Sequence, residues 1–110
     1  RVLGNFMEEY DLILSPVLAK PPVKIGEIDM SSPDIATYIE RLSSYSSFTG
    51  LYNQTGQPSI SLPLGFSNND LPIGSMLTAK FGNDELLISI ASQIEKAEPW
   101  ADKKPPIYSN

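Results

Sequence analysis

The sequence predicts a mixed α/β unit that forms the edge of a larger layered sheet. Two strand-like runs, Ser59–Leu62 and Ile73–Lys80, stand close together, and a third, Leu12–Leu14, is wholly aliphatic. Two segments, Ile35–Leu42 and Leu86–Ile94, carry apolar residues at the three- and four-residue spacing of a helix with one buried face. So few strands and covering helices do not complete a layered domain, which buries its sheet between other elements.

Taken in order, Val2, Leu3, Phe6 and Tyr10 have helical spacing beside the polar Glu8 and Glu9, which predicts the tail of a helix. Leu12-Ile13-Leu14 is a strand to be covered on both faces, as inside a parallel or mixed sheet, and it stops at Pro16. Pro21, Pro22, Gly26 and Pro33 make the next stretch a surface excursion. Ser32-Pro33-Asp34 has helix-start chemistry, a serine cap before a proline at the first helical position. The helix that follows buries Ile35, Tyr38, Ile39 and Leu42 and fades across the serine-rich Ser43–Ser47.

Phe48–Asn53 fits a short helical turn stopped by Gly56 and Pro58. Ser59-Ile60-Ser61-Leu62 alternates with period two and should end at Pro63 and Gly65. Asn68-Asn69-Asp70 is turn chemistry, so the strand beginning near Ile73 should return antiparallel to the previous one. Asn83 or Asp84 can cap the last helix, whose face is Leu86, Leu87, Ile90, Ala91 and Ile94 and whose end is Pro99.

Composition removes several classes of function. Of 110 residues, 41% are hydrophobic and 19% charged, the balance of a globular chain. Eight basic residues against thirteen acidic ones give a formal charge of −5, and the longest basic run is Lys103-Lys104. Nucleic acid is therefore not an expected partner, since counterion release needs a basic surface. With no cysteine and no histidine, these residues alone offer no thiolate, no histidine base and no zinc site. No apolar run approaches the ~20 residues of a membrane-spanning helix, so a membrane is not expected either.

Chemistry-bearing clusters are sparse. Glu8-Glu9-Asp11, Glu27-Asp29 and Asp84-Glu85 could in principle serve acid–base work or bind a hard cation, yet each is explained by a solvated face or a helix start. No Gly-x-Ser-x-Gly elbow and no Ser-x-x-Lys pair occurs, and the glycines form no phosphate-cradling loop. The aromatics are spaced as packing, not as a stacking platform for bases. No catalytic residue and no metal ligand is assigned within the chain.

The block Phe48-Thr49, Asn53, Thr55-Gly56-Gln57-Pro58, Ser61-Leu62-Pro63-Leu64-Gly65 and Leu71-Pro72-Ile73-Gly74-Ser75-Met76-Leu77 resembles the C-terminal region of the amidase signature family. Tyr10-Asp11-Leu12-Ile13-Leu14-Ser15-Pro16 is similar to that family's Tyr-Asp-aliphatic strand, and Phe81–Leu87 with Glu98-Pro99-Trp100 to its last helix and the turn beyond. The resemblance implies an α/β/α sandwich around a mixed sheet, of which residues 1–110 are the C-terminal part of a single domain. It also implies an enzyme that hydrolyses a carboxylic amide C–N bond through a serine nucleophile, a bridging serine on a cis peptide and a lysine base, without a cofactor. The lysine and the Gly-Gly-Ser-Ser-Gly-Gly-Ser-like stretch that supply those groups would lie upstream, so the chain alone is expected to be inactive.

Asn53, Gly56, Pro58, Pro63 and Gly65 are read as a structural motif beside the active site, with Asn53 bonding its own turn and Gly56 taking φ > 0. In glutamine-using members an acidic residue about seven positions before the asparagine holds the substrate's amino group. Here that position is Ser46, the one substrate-pocket candidate, and a neutral hydroxyl argues against an ammonium partner. The Thr-Gly-Gln-Pro wording resembles members acting on hydrophobic or on linear and cyclic amides. A small-molecule amide is thus the expected substrate of the full-length protein, and a cytoplasmic location is expected. Left without its cover, the chain is expected to form homo-oligomers or swap elements. The alternative readings are a catalytically inactive amidase-like binding or assembly module, and an independent small domain.

Overall fold

The structure is a computed structural model and describes residues 2–105 and 107. Its elements are α1 (Val2–Glu9), β1 (Leu12–Pro16), α2 (Ile35–Tyr45), α3 (Thr49–Thr55), β2 (Ser59–Phe66), β3 (Pro72–Ala79) and α4 (Asp84–Ala97). The strands form one sheet in the order β1-β3-β2, with both pairings antiparallel. The last strand in sequence is thus the central one.

β1 is consequently an edge strand among the described residues and not the interior strand its aliphatic run suggests. Leu12 pairs with Ala79 and Pro16 with Ser75, and Leu14 between them stays 70% exposed. The parallel pairings of a mixed sheet do not occur among these three strands.

Strand pleating sends alternate residues to opposite faces. On one face Leu62, Leu77 and Ala79 are buried against Leu87 of α4. Leu12, Ile60, Ile90, Ala91, Ile94 and Trp100 pack around them. The helical face read from Leu86 to Ile94 is therefore the one that covers the sheet. Asp84 and Glu85 lie in its first turn and Lys96 in its last, where each charge opposes the helix dipole. Asn83 is the residue at the N-cap, but its side chain makes no capping bond, so the acidic first turn acts without it. Beyond α4, Lys103 Nζ lies 4.8 Å from the centre of the Phe66 ring, tying the tail to the end of β2.

Four local expectations are corrected. β2 continues through Pro63 and Gly65 to Phe66, because a register shift between Leu62 and Gly65 absorbs the proline on an edge strand, where a missing N–H is tolerated. The cap of α2 is Asp34, not Ser32: its carboxylate accepts the Thr37 N–H at 3.1 Å and the Thr37 hydroxyl at 2.6 Å. Ser32 Oγ instead accepts the Asp34 N–H at 3.3 Å, one step before the helix. The apolar face of α2 is not buried, since Ile35 is 70% and Ile39 50% exposed and no residue of the helix is buried. In α1 the buried residue is Met7, while Phe6 and Tyr10 stack on each other at 4.5 Å on the outside.

Candidate functional site

The face of the sheet turned away from α4 is lined with hydroxyls. The register puts Ile13 and Ser15 of β1, Gly74, Met76 and Thr78 of β3, and Ser59 and Ser61 of β2 on it together. Ser59 Oγ and Thr78 Oγ1 share a hydrogen bond of 2.7 Å across the strands. At the centre, Gly74 leaves room for its neighbours: a Cβ there would stand 2.8 Å from both Ser61 Oγ and Val17 Cγ2.

α3 stands over this face with Tyr52 buried. It ends because Gly56 adopts φ 78°, a left-handed cap whose N–H returns to the Tyr52 carbonyl at 2.8 Å. The chain then turns through Gln57 and Pro58 into β2, and the Pro58 carbonyl accepts the Ala79 N–H at 3.1 Å. Between α3, this turn and the strands lies an open depression of about 300 Å³. Tyr52 and Met76 line it as apolar surface, and Thr49, Asn53, Gln57, Ser59 and Ser61 as polar surface. A second depression of about 190 Å³ shares Val17 and Ser61 with the first and reaches Lys20, Pro21 and Pro22.

Gln57 Oε1 and Ser15 Oγ, on this side of the sheet, are buried without a hydrogen-bond partner among the described residues. A buried polar atom in that state carries a desolvation cost that a ligand or a further chain segment can remove. No carboxylate, imidazole or amine lines the larger depression, so it can hold and orient a molecule but supplies no general base. The paired carboxylates of the sequence lie elsewhere and are exposed. Among the described residues no group of three or more acidic residues could hold a metal ion.

Ser46 closes α2, its N–H bonded to the Leu42 carbonyl at 2.9 Å. Its hydroxyl is part-buried and pairs with Thr49 Oγ1 at 3.2 Å, and Thr49 lines the depression; Ser46 therefore stands one hydrogen bond behind the wall. Asn53 lines the depression directly. The bond that closes its turn is the backbone contact of Gly56, and the Asn53 side chain makes none among the described residues. Gly56 and Pro58 shape the turn into β2, whereas Pro63 and Gly65 sit beside the register shift and do not line the depression. The sequence does not single out Gln57 or Ser61 as lining residues; the alternation Ser59-Ile60-Ser61-Leu62 is the available signal for Ser61, because it separates a serine face from the core face.

The family model for amidases matches residues 1–88. A Mycobacterium leprae protein carrying the amidase name AmiC is 39% identical over 101 residues, which cover 92% of this chain and 21% of that protein. The 6-aminohexanoate-cyclic-dimer hydrolase of Paenarthrobacter ureafaciens is 33% identical over 105 residues, covering 91% of this chain and 21% of that one. The chain spans about a fifth of the length of the curated relatives it matches. In three dimensions it is similar to a solved 6-aminohexanoate cyclic dimer hydrolase, with a TM-score of 0.83 and 32% identity over 94% of this chain and 23% of the other.

Proposed function

Because the chain belongs to the amidase family, we propose that residues 1–110 are the C-terminal part of a single amidase domain whose whole protein hydrolyses a carboxylic amide C–N bond. The observation that carries this reading is the match itself. It runs through nearly all of this chain, in both sequence and three-dimensional structure, yet takes in about a fifth of each relative. The exposed apolar side chains of α2 and β1 support it, since they suit burial under further elements of the same domain.

In this reading the upstream residues perform the chemistry. A serine attacks the amide carbonyl while its proton passes through a bridging serine on a cis peptide to a lysine. The proton goes on to the nitrogen as the C–N bond breaks and the amine leaves, and water then cleaves the acyl-serine ester to release the acid and restore the serine. The present chain contributes wall and positioning. Ser46, through Thr49, belongs to the wall of the substrate pocket, Asn53 lines it, and Gly56 and Pro58 shape the turn beside it. The substrate is a small-molecule amide. Alone, the chain is inactive and covers its exposed faces by self-association or by exchanging elements between copies.

The test is to clone the whole reading frame and assay it against simple linear and cyclic amides beside the isolated chain. Turnover by the whole protein, lost when the upstream serine is replaced by alanine and absent from the isolated chain, is expected. A reading frame without an upstream lysine and paired serines would identify an inactive amidase-like module instead. Amide turnover by the isolated chain would overturn the assignment of the chemistry to upstream residues.

A further inference from the structure

We propose that the outer edge of β1 is the seam at which this sheet continues, and that its occupant is a strand from the upstream part of the same polypeptide. The inference rests on the reading of the chain as the C-terminal part of a longer domain, which the match to about a fifth of each relative supports. The position of the seam follows from the backbone.

In an antiparallel pair every second residue turns its N–H and C=O to the partner strand. The Val17 N–H donates to the Gly74 carbonyl at 3.4 Å and the Ala79 N–H to the Pro58 carbonyl at 3.1 Å, which fixes the phase of both ladders. Ile13 and Ser15 therefore face β3, and Leu12 and Leu14 turn their backbone groups outward. On the other edge Ile60 and Leu62 face β3, and Ser59 and Ser61 turn outward. Each outer row thus offers two N–H groups before a proline, Pro16 on β1 and Pro63 on β2.

The flanking chemistry separates the two edges. β2 presents serines that water satisfies, and its ladder is shifted beyond Leu62, a device that blunts an edge. β1 keeps an unbroken register and carries no charge. Leu14 lies opposite Leu77 on the same face, yet Leu77 is buried and Leu14 is not. The apolar layer stops part-way along β1. A further strand with its own covering element completes both the ladder and that layer.

The experiment is residue-resolved amide hydrogen exchange on the whole protein. Ile13 and Ser15 are held by β3 in any case, so Leu12 and Leu14 discriminate. Their amides are expected to exchange roughly 100-fold or more slowly than in an unstructured peptide, at any protein concentration. Leu14→Pro deletes one outward donor and spares the β3 ladder, so it should speed Leu12 exchange about 5-fold or more, the worth of one hydrogen bond. Leu14→Ala keeps the N–H and should leave Leu12 protected. Exchange of Leu12 and Leu14 at the unstructured rate overturns the proposal. So does protection lost on dilution, which would make a second copy the occupant, and so does equal Leu12 protection in the two variants, which would mean cover without pairing. Should Leu14→Pro not fold, the unsubstituted protein decides by the first two outcomes. Protected amides in a whole protein that turns over no amide defeat the functional reading alone, and turnover with unprotected amides defeats the seam alone.

Discussion

Gly74 holds the middle of the sheet open at the scale of single atoms. Its backbone conformation needs no glycine, but its missing side chain does, because Ser61 Oγ and Val17 Cγ2 both occupy the space a methyl would take, at 2.8 Å. Gly74→Ala should destabilise the fold by about 1–3 kcal/mol, the usual cost of overpacking. Urea unfolding of the two proteins checks this, and equal midpoints would refute the close approach. Gly56 differs in kind: there the backbone itself is left-handed, which only glycine adopts freely. That requirement was legible in Thr55-Gly56-Gln57-Pro58, since a glycine between a helical turn and a proline signals a cap. The requirement at Gly74 was not, because it depends on side chains 13 residues and 57 residues away in sequence. For the same reason Gln57 escaped notice: burial of its oxygen is a property of the assembled turn.

Element boundaries follow local chemistry where a side chain competes with the backbone. In α2, Asp34 takes the cap from Ser32 because its carboxylate reaches the Thr37 amide and hydroxyl together. The Thr37 side-chain hydrogen bond is the main cause holding the Asp34 carboxyl below its ordinary range, with the Thr37 backbone bond second. A folded-state value lower than the unfolded one means stability that is present above the unfolded value. It is lost as pH falls through the folded one. Helicity of α2 should therefore decline in acid below the ordinary carboxylate range, and Asp34→Asn should flatten that decline. Circular dichroism against pH, compared between the two proteins, measures it. The far end of the helix shows the limits of composition. The serines of Ser43–Ser47 do not end it at Ser43, because Ser44 and Ser47 turn their hydroxyls back onto the carbonyls of Arg41 and Ser43 at 2.9 and 2.8 Å. The existence of every element was readable from periodicity and capping; the burial of α2 was not, because an amphipathic pattern states which face wants cover and not what supplies it.

For the whole molecule, the uneven distribution of cover is the governing fact. One face of the sheet is packed under α4 at its centre, while Ile35 and Ile39 of α2 and Leu14 on the edge strand β1 are left exposed. If upstream elements of an amidase domain cover α2, Ile39→Asp will be nearly neutral in the isolated chain, within about 0.5 kcal/mol as for ordinary surface changes. In the whole protein the same change would bury a charge and cost on the order of several kcal/mol. Paired denaturation curves decide it, and equal effects in both settings would count against the covered position of α2. Light scattering on the isolated chain is expected to report species larger than a monomer. A compact monomer would argue for the independent small domain.

The central place of β3 also sets a timetable. β1 leaves the ribosome long before the strand that must sit beside it, since Leu12 is paired with Ala79. At synthesis rates of about 5–20 residues per second, β1 waits roughly 3–13 s for its neighbour. The β2–β3 hairpin closes over a short connection and is ready as soon as it emerges, so it is the natural template onto which β1 docks last. A ribosome stalled before Pro72 would hold a nascent chain with two strands made and no ladder between them.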